Sequence, residues 1–135
     1  MKPPSTVSIN ETSNSTSWFD DGIMYVVTKR NPYEATEERK KQTTEFIKKL
    51  NGKKICAIID VTNSSTFSRE SREYNAIILP QMFCAIAFIA RNPLGRMLVN
   101  LYLGMKPLAF PHKIFSNEED AKEWILQHQA EMENK

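Results

Sequence analysis

A chain of 135 residues with 41% hydrophobic and 25% charged side chains is long enough for one domain to bury a core without a metal or a disulfide framework. Its formal net charge of +2 gives no footprint for nucleic acid; the clusters Arg39-Lys40-Lys41, Lys48-Lys49 and Lys53-Lys54 alternate with acidic residues, as a solvated helix face does. No apolar run reaches the roughly 18 residues of a membrane-crossing helix, and Met1 to Ser17 lack the apolar core of a signal peptide, so the sequence predicts a cytoplasmic protein.

Residues 1 to 14 read as a tail or an edge strand, Pro3 and Pro4 opposing regular structure at the start. Asp20-Asp21-Gly22 signals a tight hairpin turn, because glycine accepts the positive φ such turns require, and Ile23 to Val27 returns as a strand. Asn31-Pro32 breaks it. A helix from about Thr36 to Leu50 comes next, with Arg39, Thr43, Phe46, Ile47 and Leu50 on one face, glutamates early and lysines late. Asn51-Gly52 supplies a left-handed stop.

Ile55-Cys56-Ala57-Ile58-Ile59, between two lysines and Asp60, is too short and too β-branched for a helix and reads as a strand buried on both faces. A polar loop leads to a second helix, about Ser68 to Leu79, with Tyr74, Ile77 and Ile78 on one face and Pro80 ending or kinking it. Met82 to Ala90 is another fully apolar strand. The third helix has Asn92 as its cap, Pro93 at the first position and Gly104 past its end; Leu94, Met97, Leu98, Leu101, Tyr102, Leu103 and Met105 make it apolar around most of its circumference. A short strand near Lys113 to Phe115 and a capping box, Ser116-Asn117-Glu118-Glu119, introduce the last helix, which buries Ala121, Trp124 and Ile125. Glu131 to Lys135 is a polar end.

This order predicts a single-domain α/β fold with an N-terminal β-hairpin, then alternating strands and helices: a five-stranded, mostly parallel sheet with the first strand antiparallel at one edge, and four helices. Cys56 and Cys84, each inside an apolar run, read as reduced, buried thiols without activation. The histidines, His112 and His128, are too few and too separated to hold a metal.

Several stretches together resemble the STAS superfamily, named for sulfate transporters and anti-sigma-factor antagonists, and within it the small free-standing bacterial proteins described as SpoIIAA-like or STAS/SEC14-like. They are Trp18-Phe19-Asp20-Asp21-Gly22-Ile23, Lys53-Lys54-Ile55 through Asp60, Ser68-Arg69-Glu70-Ser71-Arg72, Pro93-Leu94-Gly95-Arg96-Met97 with Asn100, and Lys113-Ile114-Phe115 leading to Asn117-Glu118-Glu119-Asp120-Ala121 and Trp124-Ile125. The resemblance covers roughly residues 15 to 127 and implies the SpoIIAA-like fold over a domain of 15 to 130. In anti-sigma antagonists a serine at the start of the helix after the central strand accepts phosphate; the resemblance brings that role to Ser68, or else Ser71, with Arg69 and Arg72 beside it. The family's Asp-Ser-Ser-Gly motif and its glycine are absent here. Read from the residues alone, Ser68 is a helix cap and Asp60 a cap for the loop 61 to 67.

Arg91, Arg96 and Asn100 at the start of the third helix suit an anion or an interface, and Leu101 and Tyr102 extend that helix as core, subunit interface or pocket wall. The expected function is a non-enzymatic regulatory or interaction module, without cofactor, whose partner is another protein or a second copy of the chain, bound at the helix starts around Ser64 to Arg72 and on the third helix. The alternative is a carrier of a lipid or other apolar small molecule in a SEC14-like pocket. An enzymatic reading would need Asp60, His112 and a serine of the 64 to 71 loop to converge.

Overall fold

The computed structural model describes residues 1–12, 15–29, 36–63, 69–105 and 108–133. In them the chain forms β1 (Ile9–Glu11), β2 (Ser15–Asp20), β3 (Ile23–Thr28), α1 (Glu37–Leu50), β4 (Ile55–Asp60), α2 (Arg69–Met82), β5 (Phe83–Ile89), α3 (Pro93–Met105), β6 (His112–Phe115) and α4 (Glu118–Glu133). The expected strand break at Asn31-Pro32 lies outside the described residues.

The strands form one sheet in the order β1-β2-β3-β4-β5-β6. β2 runs antiparallel to both β1 and β3, and β3 through β6 are parallel. Two expectations are corrected: the sheet has six strands, and the antiparallel strand is covered at the edge by β1. β1 falls in the 1 to 14 stretch read as a tail or an edge strand, and its three residues, Ile-Asn-Glu, are all exposed. The β2–β3 turn matches the expectation, with Asp21 at φ 52° and Gly22 at φ 77°, the two positive values of a type I′ hairpin turn.

β4 lies inside the sheet, and its alternate residues feed two cores. Cys56 and Ile58 pack with Ile23, Ile89, Ala121 and Ile125 on the face that α4 covers. Ala57, Ile55 and Ile59 pack on the other face, against Phe46 and Ile47 of α1, Ile78 of α2 and Val99 of α3. Neighbouring parallel strands joined by crossovers of one hand carry their helices on one side, so α4 alone must close the other, with Met1 and Val7 packed beside it.

Thr36 caps α1 by accepting from the Arg39 N–H at 3.3 Å, and Asn51 (φ 51°) ends it. α2 departs from its predicted form in two ways. It runs through Pro80 to Met82, because a proline in the last turn removes only one internal donor. Its buried stripe is Ser71, Asn75 and Met82, and Ile77 faces solvent, 69% exposed. Gly104 lies within α3 instead of beyond it. At α4 the cap is Asn117, whose Oδ1 accepts from the Asp120 N–H at 2.8 Å while its Nδ2 donates to the Asp120 carboxylate; Ser116 is used elsewhere.

Candidate functional site

Because β4, β5 and β6 point the same way, α2, α3 and α4 all begin at one edge of the sheet, the edge where parallel α/β proteins place ligands and partners. Asp60, the last residue of β4, is buried there. Its Oδ1 accepts from the Thr62 N–H at 3.0 Å, an Asx turn that bends the chain away from the strand. Its other oxygen takes a hydrogen bond and ion pair from the guanidinium of Arg91, two residues beyond Ile89, the last of β5. Arg91 is tied a second time, its backbone N–H donating to the Thr62 hydroxyl at 3.1 Å. Burial alone would push the Asp60 carboxyl up; the hydrogen bonds from Thr62 and the Arg91 guanidinium outweigh it and hold the group below the ordinary carboxylate value.

The same edge fixes the start of α3. Asn92 caps it, its side-chain oxygen accepting from the Gly95 N–H at 2.6 Å. A Cβ at position 95 would lie 2.9 Å from Asn92 Oδ1 and 3.4 Å from the Thr62 carbonyl oxygen, so a larger residue there would press on the Asn92 cap where the first turn of α3 closes on the loop after β4. Arg96, one residue on, donates to the Ser116 hydroxyl at the end of β6. Asp60, Thr62, Arg91, Asn92, Arg96 and Ser116 thus tie the ends of three strands together. Sequence position singles out Asp60, Arg91 and Arg96 without their partners. Thr62 carries a readable signal, a hydroxyl residue two positions after a strand-end aspartate, and Ser116 carries none.

Other residues separate from this cluster. Arg69 is exposed and pairs with Glu73 at 3.0 Å along its own helix. Ser71 is only 2% exposed, so in the folded chain its hydroxyl is not presented to a phosphate donor; Arg72 beside it is half-buried. Ser68 and the Tyr102 side chain lie outside the described residues. His112 sits at the start of β6, its Nδ1 2.8 Å from the Phe110 carbonyl oxygen. In register it stands opposite Ile86, whereas Asp60 stands opposite Ile89. Three strand residues, about 10 Å, therefore separate the two levels along the sheet, with β5 between, and the convergence an enzymatic reading required is not formed. His128 packs its ring on Trp124, centroids 4.3 Å apart.

Beyond the edge, α3 shows solvent an apolar stripe. Leu94, Met97 and Leu101, spaced by three and four along one face, are 61%, 57% and 56% exposed, with exposed Asn100 beside them. Among the described residues no three His, Cys, Asp or Glu side chains gather into a metal site, and no helix is long and apolar enough to cross a membrane.

A mixed sheet with three helices on one face, a lone C-terminal helix on the other and a polar edge at the strand ends is a SpoIIAA-like architecture. A crystal structure of an uncharacterized protein from the DUF3478 family with a SpoIIAA-like fold, from Shewanella loihica PV-4, is similar to this chain with a TM-score of 0.54 and 17% sequence identity, covering 89% of this chain and 92% of that one. That likeness is one of fold. By sequence the chain belongs to the family described as Domain of unknown function (DUF7793), which it matches over residues 17–129. No curated protein matches the sequence.

Proposed function

We propose that this protein is a non-enzymatic STAS-like regulatory or interaction module that binds another protein at the edge where α2 and α3 begin and along the outer face of α3. The observation that carries the reading is the exposure of Leu94, Met97 and Leu101 next to a polar rim whose side chains are already held by one another. An apolar centre with an ordered polar border is the anatomy of a protein interface, and three large apolar side chains in one exposed row are more than scattered surface hydrophobes. Asp60 and Arg91 support the reading from the chemical side: their charges are paired with each other, and each also holds Thr62, Asp60 through its carboxylate and Arg91 through its backbone N–H, which suits holding a surface in shape.

The test is capture from the native cell with wild type and Leu101→Glu, followed by cross-link mapping with the purified partner. Binding that is lost in Leu101→Glu, with cross-links on α3 and the start of α2, supports the reading. If light scattering shows the wild type alone to be a dimer and Leu101→Glu a monomer, the partner is a second copy. A partner that binds Leu101→Glu and Leu94→Glu as well as wild type, or cross-links only to α4, refutes it. An apolar small molecule co-purifying with wild type and absent from Leu101→Glu would assign the stripe to a carrier instead.

A further inference from the structure

At the opposite ends of β4 and β5 from Asp60 and Arg91, the register between the two strands slips. Ile55 pairs with Phe83, but Cys56 pairs with Ala85, so Cys84 is the extra residue of a β-bulge. The slip reverses which face the next residues of β5 present. Phe83 packs with the core under α1 to α3, while Cys84 and Ala85, successive residues, both belong to the core under α4. Cys56 lies on that face as well, and the two sulfurs stand 3.5 Å apart.

Their surroundings make the two thiols unequal. The hydrogen bond with Cys56 favours the Cys84 thiolate, and although burial opposes ionisation, that bond, the backbone N–H groups of Cys84 and Ala85 and the nearby Lys54 charge bring Cys84 down to about 7. The partner moves the other way, the Cys56 thiol being pushed up by the same hydrogen bond and by burial. Both cysteines are free, as expected, but Cys84 is only partly buried where the sequence pattern predicts two buried thiols. Access divides the same way, since Cys56 is 2% exposed and Cys84 is partly open.

We propose that Cys84 and Cys56 form a reversible thiol-oxidation site for hydrogen peroxide, with Cys84 the sulfur that attacks and Cys56 the sulfur that resolves. In the first step Cys84 thiolate forms an S–O bond to one peroxide oxygen as the O–O bond breaks, and the departing hydroxide takes a proton to leave as water. Cys84 is then a sulfenic acid. In the second, the Cys56 sulfur forms an S–S bond to Cys84, the S–O bond breaks, and the leaving hydroxide takes the Cys56 proton as a second water. Two electrons from the sulfur pair reduce one peroxide to two waters. The geometry asks little movement: the sulfurs need to close from 3.5 Å to about 2.05 Å. Cys56 lies four strand residues, about 13 Å, before Asp60, so this chemistry is separate from the binding edge.

The test treats the reduced full-length chain with peroxide in small molar excess, alkylates it under denaturing conditions, and reads intact mass and peptide map. The expected product has lost two hydrogens per chain, links the Cys56 and Cys84 peptides within one molecule, and returns to the starting mass with dithiothreitol. Cys56→Ser should stop at a Cys84 sulfenic acid trapped by dimedone, and Cys84→Ser should leave Cys56 unmodified at the same dose. On the unmutated native chain, iodoacetamide should label Cys84 before Cys56, with a rate rising through about pH 7. A wild-type chain unchanged by a large excess, one oxidised to sulfinic acid at Cys84 with Cys56 free, one linked only between chains, or one in which Cys56 is labelled first overturns the proposal.

Discussion

Replacing Asp60 by asparagine separates the two jobs its carboxylate performs. An asparagine oxygen can still accept from the Thr62 N–H, which now reaches Asp60 Oδ1 at 3.0 Å, but it removes the charge facing Arg91. A charge-assisted hydrogen bond contributes about 1.5–3 kcal/mol when enclosed; the Arg91 side chain is 41% exposed, and solvent screening brings the expected loss in Asp60→Asn to about 1 kcal/mol. Asp60→Ala also leaves the Thr62 N–H without its acceptor, for a total of about 2 kcal/mol. Urea melts of the three proteins with unchanged m-values measure these differences directly. The pH dependence gives the sharper check. The folded-state pKa of Asp60 is depressed, so its contribution is fully present above the unfolded carboxylate value of about 4 and is lost as pH falls through the lower, folded one. The gap between wild type and Asp60→Asn should therefore be constant from about pH 7 to about 5 and shrink by about pH 3. An Asp60→Asn protein as stable as wild type at neutral pH, or a gap that survives acidification undiminished, would refute the account of Asp60 as the ionised tie between strand ends.

Three further outcomes rest on burial and backbone geometry. Ile125→Ala removes a fully buried side chain from the core under α4 and should cost about 2–5 kcal/mol in urea melts, whereas Ile77→Ala, on the exposed face of α2, should stay within about 0.5 kcal/mol of wild type. Leu94→Glu and Leu101→Glu should likewise melt within about 0.5 kcal/mol of wild type, so any loss of partner capture is a loss of surface. Gly22→Ala places a side chain at φ 77° with its Cβ 3.2 Å from Gln129 Nε2 and should lower stability by about 1–2 kcal/mol in the same melts.

Strands β4 and β5 were legible because an apolar run of about five to nine residues between charges or turns has few other ways to be buried. The start of α3 was legible in the same way, from Asn92 ahead of a helical pattern, whereas α4 is capped by Asn117 and not by the Ser116 that the capping box points to. The bulge at Cys84 was not. In Met82 to Ala90 every residue is apolar, so no alternation marks the point where the facing slips, and a register shift in such a strand leaves the sequence looking the same. Ile77 was misread because α2 carries apolar residues on two faces, and the packing of the polar Ser71 and Asn75 decided which face turned inward. At the edge where the parallel strands end, the aspartate and arginines could be named from position, but their pairing joins residues from three strands, which no local spacing reveals.

The lone helix on the far side of the sheet has a consequence for how the chain is made. The core beneath it joins Trp18 and Ile23 to Ala121 and Ile125, partners separated by on the order of a hundred residues, a separation that slows folding. During synthesis the other face can gather its three helices as they emerge, while this one stays uncovered until α4 has left the ribosome. A ribosome stalled before Ile125 should therefore display a chain with one greasy side for chaperones to find.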